Sequence, residues 1–472
     1  MTRTTDPQIS FADLEFMSQG IELDPILQGI SHFIDEHPKI VERVRRDLER
    51  GLKRPATGRS GLTAQQVFRS LTLMRVKSWD YRELRERIAD GYTLRRFARF
   101  YSKPVPKHDA FNRAFNRLTP KTLEAVNDAV VRAAVACGLE DGKKLRVDTT
   151  VVETDVHWPT DGTLLWDSVR VITRLIEDLD ARVPRGVGRF TKRTLCARRR
   201  MQEIQRMTPK QRQTQNVPRY RELIRVTEQV VKEARAVVDR TKDERGCSLM
   251  DETIIKALLA QIQQFCRLAD RVIDQARRRV LQGEQVPTRE KLYSIFEPHT
   301  DLIKRGKVQK PVEFGHKVFL AESARGLITQ YRVLDGNPTD EEHVGPSLAR
   351  HKKLFGCPPD LYASDRGFHS VSNVKECTDA DVALVCIPQR GGTRTPQQRA
   401  HEKTPAFKKG QRFRAGIEGR ISVLFRGRGM KRCLAEGRER LELLVGAAVL
   451  ANNLMRIAAL LIKTQKHQRH AA

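Results

Sequence analysis

Three acids in this chain stand where a carboxylate needs a reason to be. Asp148 lies within Lys143–Thr154, where Leu145, Val147, Thr149 and Val151 alternate with Arg146, Asp148, Thr150 and Val152. β-Branched residues at period two predict a strand, and an acid in its middle needs a partner if it borders a core. The bland alternative is an aspartate on a solvated edge. Asp365 ends a second short apolar strand, Asp360-Leu-Tyr-Ala-Ser-Asp365, which Arg366-Gly367 breaks. Glu418 sits in a helical stretch, Phe413 to Val423, inside a segment (Gln389 to Arg432) with Lys or Arg at 13 positions and only Glu402 and Glu418 as acids. Hard divalent cations take carboxylate oxygens, and Mg²⁺ characteristically uses one or two protein carboxylates plus substrate phosphates. Phosphodiester chemistry commonly uses two such ions about 3.5–4 Å apart. Three acids from separate elements, set among cations that offset phosphate charge, predict metal-assisted cleavage of nucleic acid.

Other ionisable residues compete for that role. Glu153 and Asp155 follow Asp148 closely, and Asp161 and Asp167 fall in or beside a turn; none has the strand-centre position. His157, His316 and His369 occur singly, without ligand spacing, and read as structural histidines.

The whole chain is basic. Lys and Arg number 87 against 58 Asp and Glu, a formal net charge of +29 over 472 residues. This points to a polyanionic partner, nucleic acid before membrane. The eight cysteines form no C-x-x-C pair and no zinc-finger spacing with histidine, as expected of reduced thiols in a cytoplasmic protein. The first residues carry Asp6, Asp13 and Glu15 and no apolar run of the kind a signal peptide needs. Leu441 to Ile462 is nearly long enough to span a bilayer, but Glu442, Asn452, Asn453 and Arg456 interrupt it; it reads as a buried helix.

Several elements along the chain would hold the acids in place. Residues 1–25 are polar and aperiodic and are expected to be poorly ordered. His32 to Leu52 has the spacing of one helix, and Lys53 to Arg59 that of a basic loop. Thr63-x-x-Gln66 and Asp80-x-x-Glu83 open two helices, Thr93 a third, Asp109 a fourth, and Thr119-Pro120 a fifth that runs to Cys137. An exposed run of Arg82, Arg85, Arg87, Arg95, Arg96 and Arg99 makes residues 1–140 a candidate DNA-binding or dimerisation domain. Residues 141–163 begin a mixed α/β domain. Residues 164–290 form a long helical insertion, whose basic stretch with Arg198, Arg199 and Arg200 is either a DNA contact or a solvated face. Residues 291–472 complete the α/β domain with a hairpin (Val312 to Leu320, Gly326 to Leu334), further strands and helices, a flexible basic loop after Gln389, and C-terminal helices. Lys408, Lys409 and Arg412 in the last basic segment are candidate phosphate contacts.

Arg146-Val-Asp-Thr-Thr150 and Tyr362-Ala-Ser-Asp-Arg-Gly-Phe368 resemble the first and second acidic motifs of DDE-type insertion-sequence transposases, and Gly416-Ile-Glu-Gly-Arg-Ile-Ser422 resembles the third. Pro159-Thr-Asp-Gly-Thr-Leu-Leu-Trp-Asp-Ser168 and Ser294-Ile-Phe-Glu-Pro-His-Thr300 are similar to stretches of the bacterial ISNCY-like group of that family, and the block from Leu62 to Phe100 to its helical N-terminal domain. The resemblance implies a ribonuclease-H-like catalytic domain with Asp148, Asp365 and Glu418 as catalytic metal ligands, Mg²⁺ as cofactor with Mn²⁺ able to substitute, and Arg420 on phosphate. It also implies homo-oligomeric action on double-stranded DNA at terminal inverted repeats and target sites, in the bacterial cytoplasm at the nucleoid and away from membranes. The alternatives are a nuclease or resolvase of the same fold and a non-catalytic DNA-binding regulator derived from a transposase.

Overall fold

The computed structural model describes residues 2–3, 9–20, 22–53, 59–244, 248–304 and 311–471. Most of the expected basic loop at 53–59 lies outside them. The chain divides into two compact units: Met1–Glu153 with His316–Ala472, and Thr154–Gly315. The class is α/β, with a mixed sheet of seven strands.

The first unit opens with eight helices: α1 (Phe11–Ser18), α2 (Pro25–Glu36), α3 (Lys39–Glu49), α4 (Ala64–Lys77), α5 (Tyr81–Asp90), α6 (Tyr92–Phe97), α7 (His108–Phe115) and α8 (Pro120–Ala136). Their starts follow side-chain chemistry. Thr63 and Gln66 cap each other reciprocally, and Asp80 accepts the amides of Arg82 and Glu83. Two expectations fail. Residues 1–25 contain a capped helix, because Ser10 and Asp13 form a reciprocal box and Asp13 also accepts from the amide and hydroxyl of Ser102 at 3.2 and 2.7 Å. A polar anchor of this kind leaves no hydrophobic periodicity to read. His32 to Leu52 is two helices, since Pro38 disfavours helical backbone at His37, which sits at φ −127°, ψ 64°. The arginine run is also only partly exposed. Arg82, Arg85 and Arg87 face solvent, but Arg95 donates to the carbonyls of Ala89, Tyr101 and Lys103, and Arg99 to Asp35 and Tyr101.

After β1 (Lys144–Thr154) the second unit carries α9 (Asp161–Asp180), α10 (Thr194–Arg206), α11 (Pro209–Thr241) and α12 (Leu249–Ala276) around one apolar core that includes Leu165, Ile172, Leu223, Val230, Ile262 and Val272. It ends on β2 (Asp301–Lys304), antiparallel to the first residues of β3 (Val312–Ser323), with Asp301 opposite Gly315. This unit is wider at both ends than the 164–290 span expected for the insertion.

Back in the first unit, β3 pairs antiparallel with β4 (Ile328–Val333), and the register shifts at Ala321/Glu322. Then follow α13 (Val344–Phe355), β5 (Leu361–Ala363), α14 (Val371–Asp379), β6 (Leu384–Cys386), α15 (Pro396–Lys403), α16 (Pro405–Gly427), β7 (Arg432–Cys433) and α17 (Arg438–Ala471). β1 is central. β3, carrying β4, lies on one side, and β5 then β6 on the other, both parallel to their neighbours. The expected flexible loop after Gln389 contains α15, opened by a Thr395–Gln398 capping box, and α16 starts well before Phe413. Thr395-Pro396 and Thr404-Pro405 both announce an N-cap followed by proline at the first helical position.

α17 explains why residues 1–140 do not form a unit of their own. Its Ala447, Leu450, Leu454 and Ile457 share a core with Ile30, Phe68 and Val126 from the N-terminal helices. Gly29 on α2 faces Ala458, where an added Cβ would lie 2.9 Å from the alanine Cβ. The helix is apolar enough to cross a membrane by length and composition, yet two thirds of that window is buried in the protein. The polar interruption is used: Asn453 accepts the Ile328 amide and donates to the Ile328 carbonyl and to Asn127, each at 2.8 Å.

His351 on α13 is fully buried and stacks on Phe355. Burial pushes its imidazole down to about 4 from an ordinary 6.5. An unfolded chain therefore takes up the proton first as pH falls, so stability is full above 6.5 and drains between 6.5 and about 4. Urea midpoints at pH 7 and pH 5 should show a smaller acid loss in His351→Leu than in the parent; equal losses would assign the effect to other groups.

Candidate active site

Side-chain alternation on β1 sorts its residues into two faces. Leu145 and Val147 join Phe319, Tyr362 and Phe368 in one core. Arg146 turns to the other face, over the Phe413 ring of α16 at 4.8 Å, and donates to the Phe413 carbonyl at 2.6 Å. Asp148 is the next residue on that α16-facing side and is partly exposed; its Oδ1 accepts the Thr149 amide at 2.7 Å.

Asp365 arrives from the neighbouring strand. β5 is parallel to β1, with Leu361 opposite Lys144 and Ala363 opposite Arg146. Carrying that register two residues further sets Asp365 opposite Asp148. Ala363 packs with Phe407 and Phe413 of α16, and Asp365 follows two residues on in extended backbone, just past the end of β5. Its Oδ1 caps the short turn Arg366–Phe368 by accepting the Gly367 amide at 2.9 Å. Burial first, and then the nearby Asp340 carboxylate, raise the Asp365 pKa, against opposing help from the Gly367 amide and Arg414. Asp340 Oδ2 and Asp365 Oδ1 lie 2.9 and 3.1 Å from the point a Cβ on Gly367 would occupy, hence within about 6 Å of each other. Two like charges at that range repel by roughly 1–3 kcal/mol for an effective dielectric between water's and 20.

Glu418 is on α16, one turn beyond Arg414. Its side chain is 69% exposed and pairs with Arg414 at 3.2 Å. Arg414 thus stands between Asp365, which it influences electrostatically, and Glu418. Among the described residues no three His, Cys, Asp or Glu side chains converge closely enough to hold a metal ion. The donor chemistry still fits a hard cation: Asp148 and Asp365 offer carboxylates in register, and the burial and crowding that raise the Asp365 pKa would be relieved by positive charge. The third carboxylate joins them only if it leaves Arg414.

The helix is held over the sheet by a buried charge. Glu322 is fully buried. It receives Arg146 Nε at 2.8 Å and Nη2 at 2.7 Å, and Arg420 Nε at 2.8 Å. Arg420 also donates to Asn452 on α17 at 3.1 Å. Arg420, expected on phosphate, has its guanidinium on Glu322 and Asn452 and is mostly buried.

The remaining basic candidates divide. Lys408, Lys409 and Arg412 are exposed on α16, the helix that carries Glu418. Arg198 and Arg199 are exposed on α10, but Arg199 and Arg200 pair with Glu203, and Arg200 also with Glu222 at 2.6 Å. Part of that run's charge is thus already neutralised. The rival acids are structural partners: Glu153 pairs with Arg432, Asp161 with Arg279, and Asp167 with His157 and Arg170. Sequence reasoning missed Asp340, Arg414 and Glu322, none of which stands in a motif; only the Thr339–Glu342 capping box marks the turn that carries Asp340.

Comparison with protein-family models, with curated proteins and with solved structures finds no match.

Removing Glu322 would leave two part-buried arginines without their counter-charge. Glu322→Ala should cost about 3–5 kcal/mol in urea unfolding. A loss below about 1 kcal/mol, the level of an exposed ion pair, would mean that solvent reaches the triad.

Proposed function

We propose that the protein is a DNA transposase of the DDE type, with a ribonuclease-H-like sheet carrying Asp148 and Asp365 and α16 carrying Glu418. The observation that bears most weight is the parallel pairing of β1 and β5, whose register, carried two residues past the end of β5, sets Asp365 opposite Asp148 on the sheet that α16 covers. A hairpin on one side of the central strand and two parallel strands on the other support the fold reading. Asp148, Asp365 and, once released from Arg414, Glu418 would hold Mg²⁺ or Mn²⁺; bound there, the ions would supply Lewis-acid activation to a phosphodiester. Lys408, Lys409 and Arg412 bind the phosphate backbone beside the acids and fix its register. Arg146 and Arg420, through Glu322, keep α16 at a fixed distance from β1. The reaction is hydrolysis at an element end, freeing a 3′-hydroxyl, and then in-line attack of that hydroxyl on target DNA. The protein acts as a homo-oligomer at the bacterial nucleoid.

The turn of Glu418 onto Arg414 keeps a second reading in play: a DNA-binding regulator that performs no chemistry. Labelled DNA carrying the inverted repeats that flank the gene separates these readings when incubated with plasmid and Mg²⁺. Products joined to plasmid mean transposase; nicks without joining mean a nuclease; a mobility shift alone means the regulator. In the first case Asp365→Ala should abolish cleavage and joining while DNA affinity stays within about twofold, because affinity comes mainly from cations on phosphates. Full activity of Asp365→Ala would remove it from the site.

Binding should weaken steeply with salt. Neutralising Lys408, Lys409 and Arg412 together should flatten the plot of log K against log salt by up to about 0.9 per lost phosphate contact. An unchanged slope would move the DNA path off α16.

A further inference from the structure

We propose that Asp340 is the positioning residue of the acidic site, fixing the strand of Asp148 through Thr149 and the turn of Asp365 by close packing. This rests on the site assignment above, but its geometry is independent of it. Asp340 opens the short turn Asp340–His343, whose entry is locked by Thr339: its amide and hydroxyl both donate to Glu342 Oε1 at 2.9 Å. Asp340 Oδ1 takes two donors, Lys317 Nζ of β3 at 2.8 Å and Thr149 Oγ1 of β1 at 2.9 Å. Lys317 is itself aimed by a second bond, to the Pro338 carbonyl at 2.8 Å.

The consequence runs along β1. Thr149 is held by its hydroxyl on one face of the strand, and its amide is the donor that fixes Asp148 Oδ1 at 2.7 Å. Without Asp340, Thr149 loses the 2.9 Å contact that helps set its χ1, and the peptide that presents Asp148 loses one of its restraints. The other oxygen of Asp340, Oδ2, makes no hydrogen bond among the described residues and lies against Gly367 beside Asp365 Oδ1. A side chain at 367 would strike both carboxylates, so the glycine is what lets the Asp365 turn close down on Asp340. Asp340 thus bonds β3 and β1 and packs on the loop that carries Asp365. It works as a hydrogen-bond acceptor of fixed position, a role that an asparagine can fill with its carbonyl oxygen.

The test uses the full chain with Asp340→Asn, Asp340→Ala, Thr149→Val and Thr149→Ser. Amide hydrogen exchange over residues 147–150 and 364–368 is measured without metal or DNA, and Mn²⁺ affinity by electron paramagnetic resonance. Asp340→Ala and Thr149→Val should each speed exchange at 147–150 and weaken Mn²⁺ binding by roughly 10–100-fold, the usual cost of losing a partner that orients a ligand. Asp340→Asn and Thr149→Ser should stay close to the parent in both readouts, and Asp340→Ala combined with Thr149→Val should be no worse than either alone. Exchange unchanged in Asp340→Ala, or Asp340→Asn as damaged as Asp340→Ala while Thr149→Val is unharmed, would overturn the positioning role; the second pattern would make the Asp340 charge itself the active feature. A parent that binds no Mn²⁺ but shows the expected exchange pattern would instead overturn the metal-site assignment and leave the positioning geometry standing.

Discussion

Glu322 is fully buried, and two arginines from different elements answer it. A buried carboxylate is costly unless its partners are well placed, so this triad admits only one arrangement of β3, β1 and α16. The irregular register at Ala321/Glu322 belongs to the same device, since an irregularity in a ladder re-aims a side chain. Arg146 stands two residues before Asp148 on the same face, and Arg420 two residues after Glu418 on the helix. Whatever fixes those arginines against each other also fixes the separation between the strand acid and the helix acid. The site is therefore set from beneath, by a charge that takes no part in chemistry.

Around that frame two of the acids have a cation. Asp340 has Lys317 and Glu418 has Arg414. Asp365 has the weaker influences of the Gly367 and Phe368 amides and Arg414, and burial with Asp340 beside it leaves its carboxyl disfavoured as an anion. A surface that concentrates anionic groups inside a chain of net charge +29 is suited to a ligand with both signs, such as a phosphate backbone accompanied by divalent ions. The basic residues of α16 and its glutamate then belong to one binding surface rather than two.

Much of this could be read from local sequence. The alternation around Asp148, the Thr63–Gln66 box, Thr119-Pro120 and the paired hairpin strands are properties of neighbouring residues, and local rules recover them. The helix α1 was hidden because its anchor is polar and its partner, Ser102, is far along the chain. α15 and the first turns of α16 were hidden by their charge, although Thr-Pro marks both starts. The partnership of Arg420 with Glu322 is invisible for a deeper reason: nothing local distinguishes an arginine bound to phosphate from one bound to a glutamate in another strand. Asp340 was invisible for the same reason, its partners being Thr149 and Lys317. The three motif acids can be named from sequence; that the register of β1 and β5, carried past Ala363, sets Asp365 opposite Asp148 is a property of strand pairing, and that Glu418 leans on Arg414 is a property of the folded helix.

Iron-mediated hydroxyl-radical cleavage of the protein backbone tests the central claim, that these acids form one cation site. Fe²⁺ takes the oxygen ligands that Mg²⁺ and Mn²⁺ take, and radicals formed at the bound ion cut the nearest chain. The account predicts cuts close to residues 148, 365 and 418, suppressed together by excess Mg²⁺ and lost together in Asp148→Ala. Cuts confined to other segments, or a pattern indifferent to Mg²⁺ and to Asp148→Ala, would contradict it.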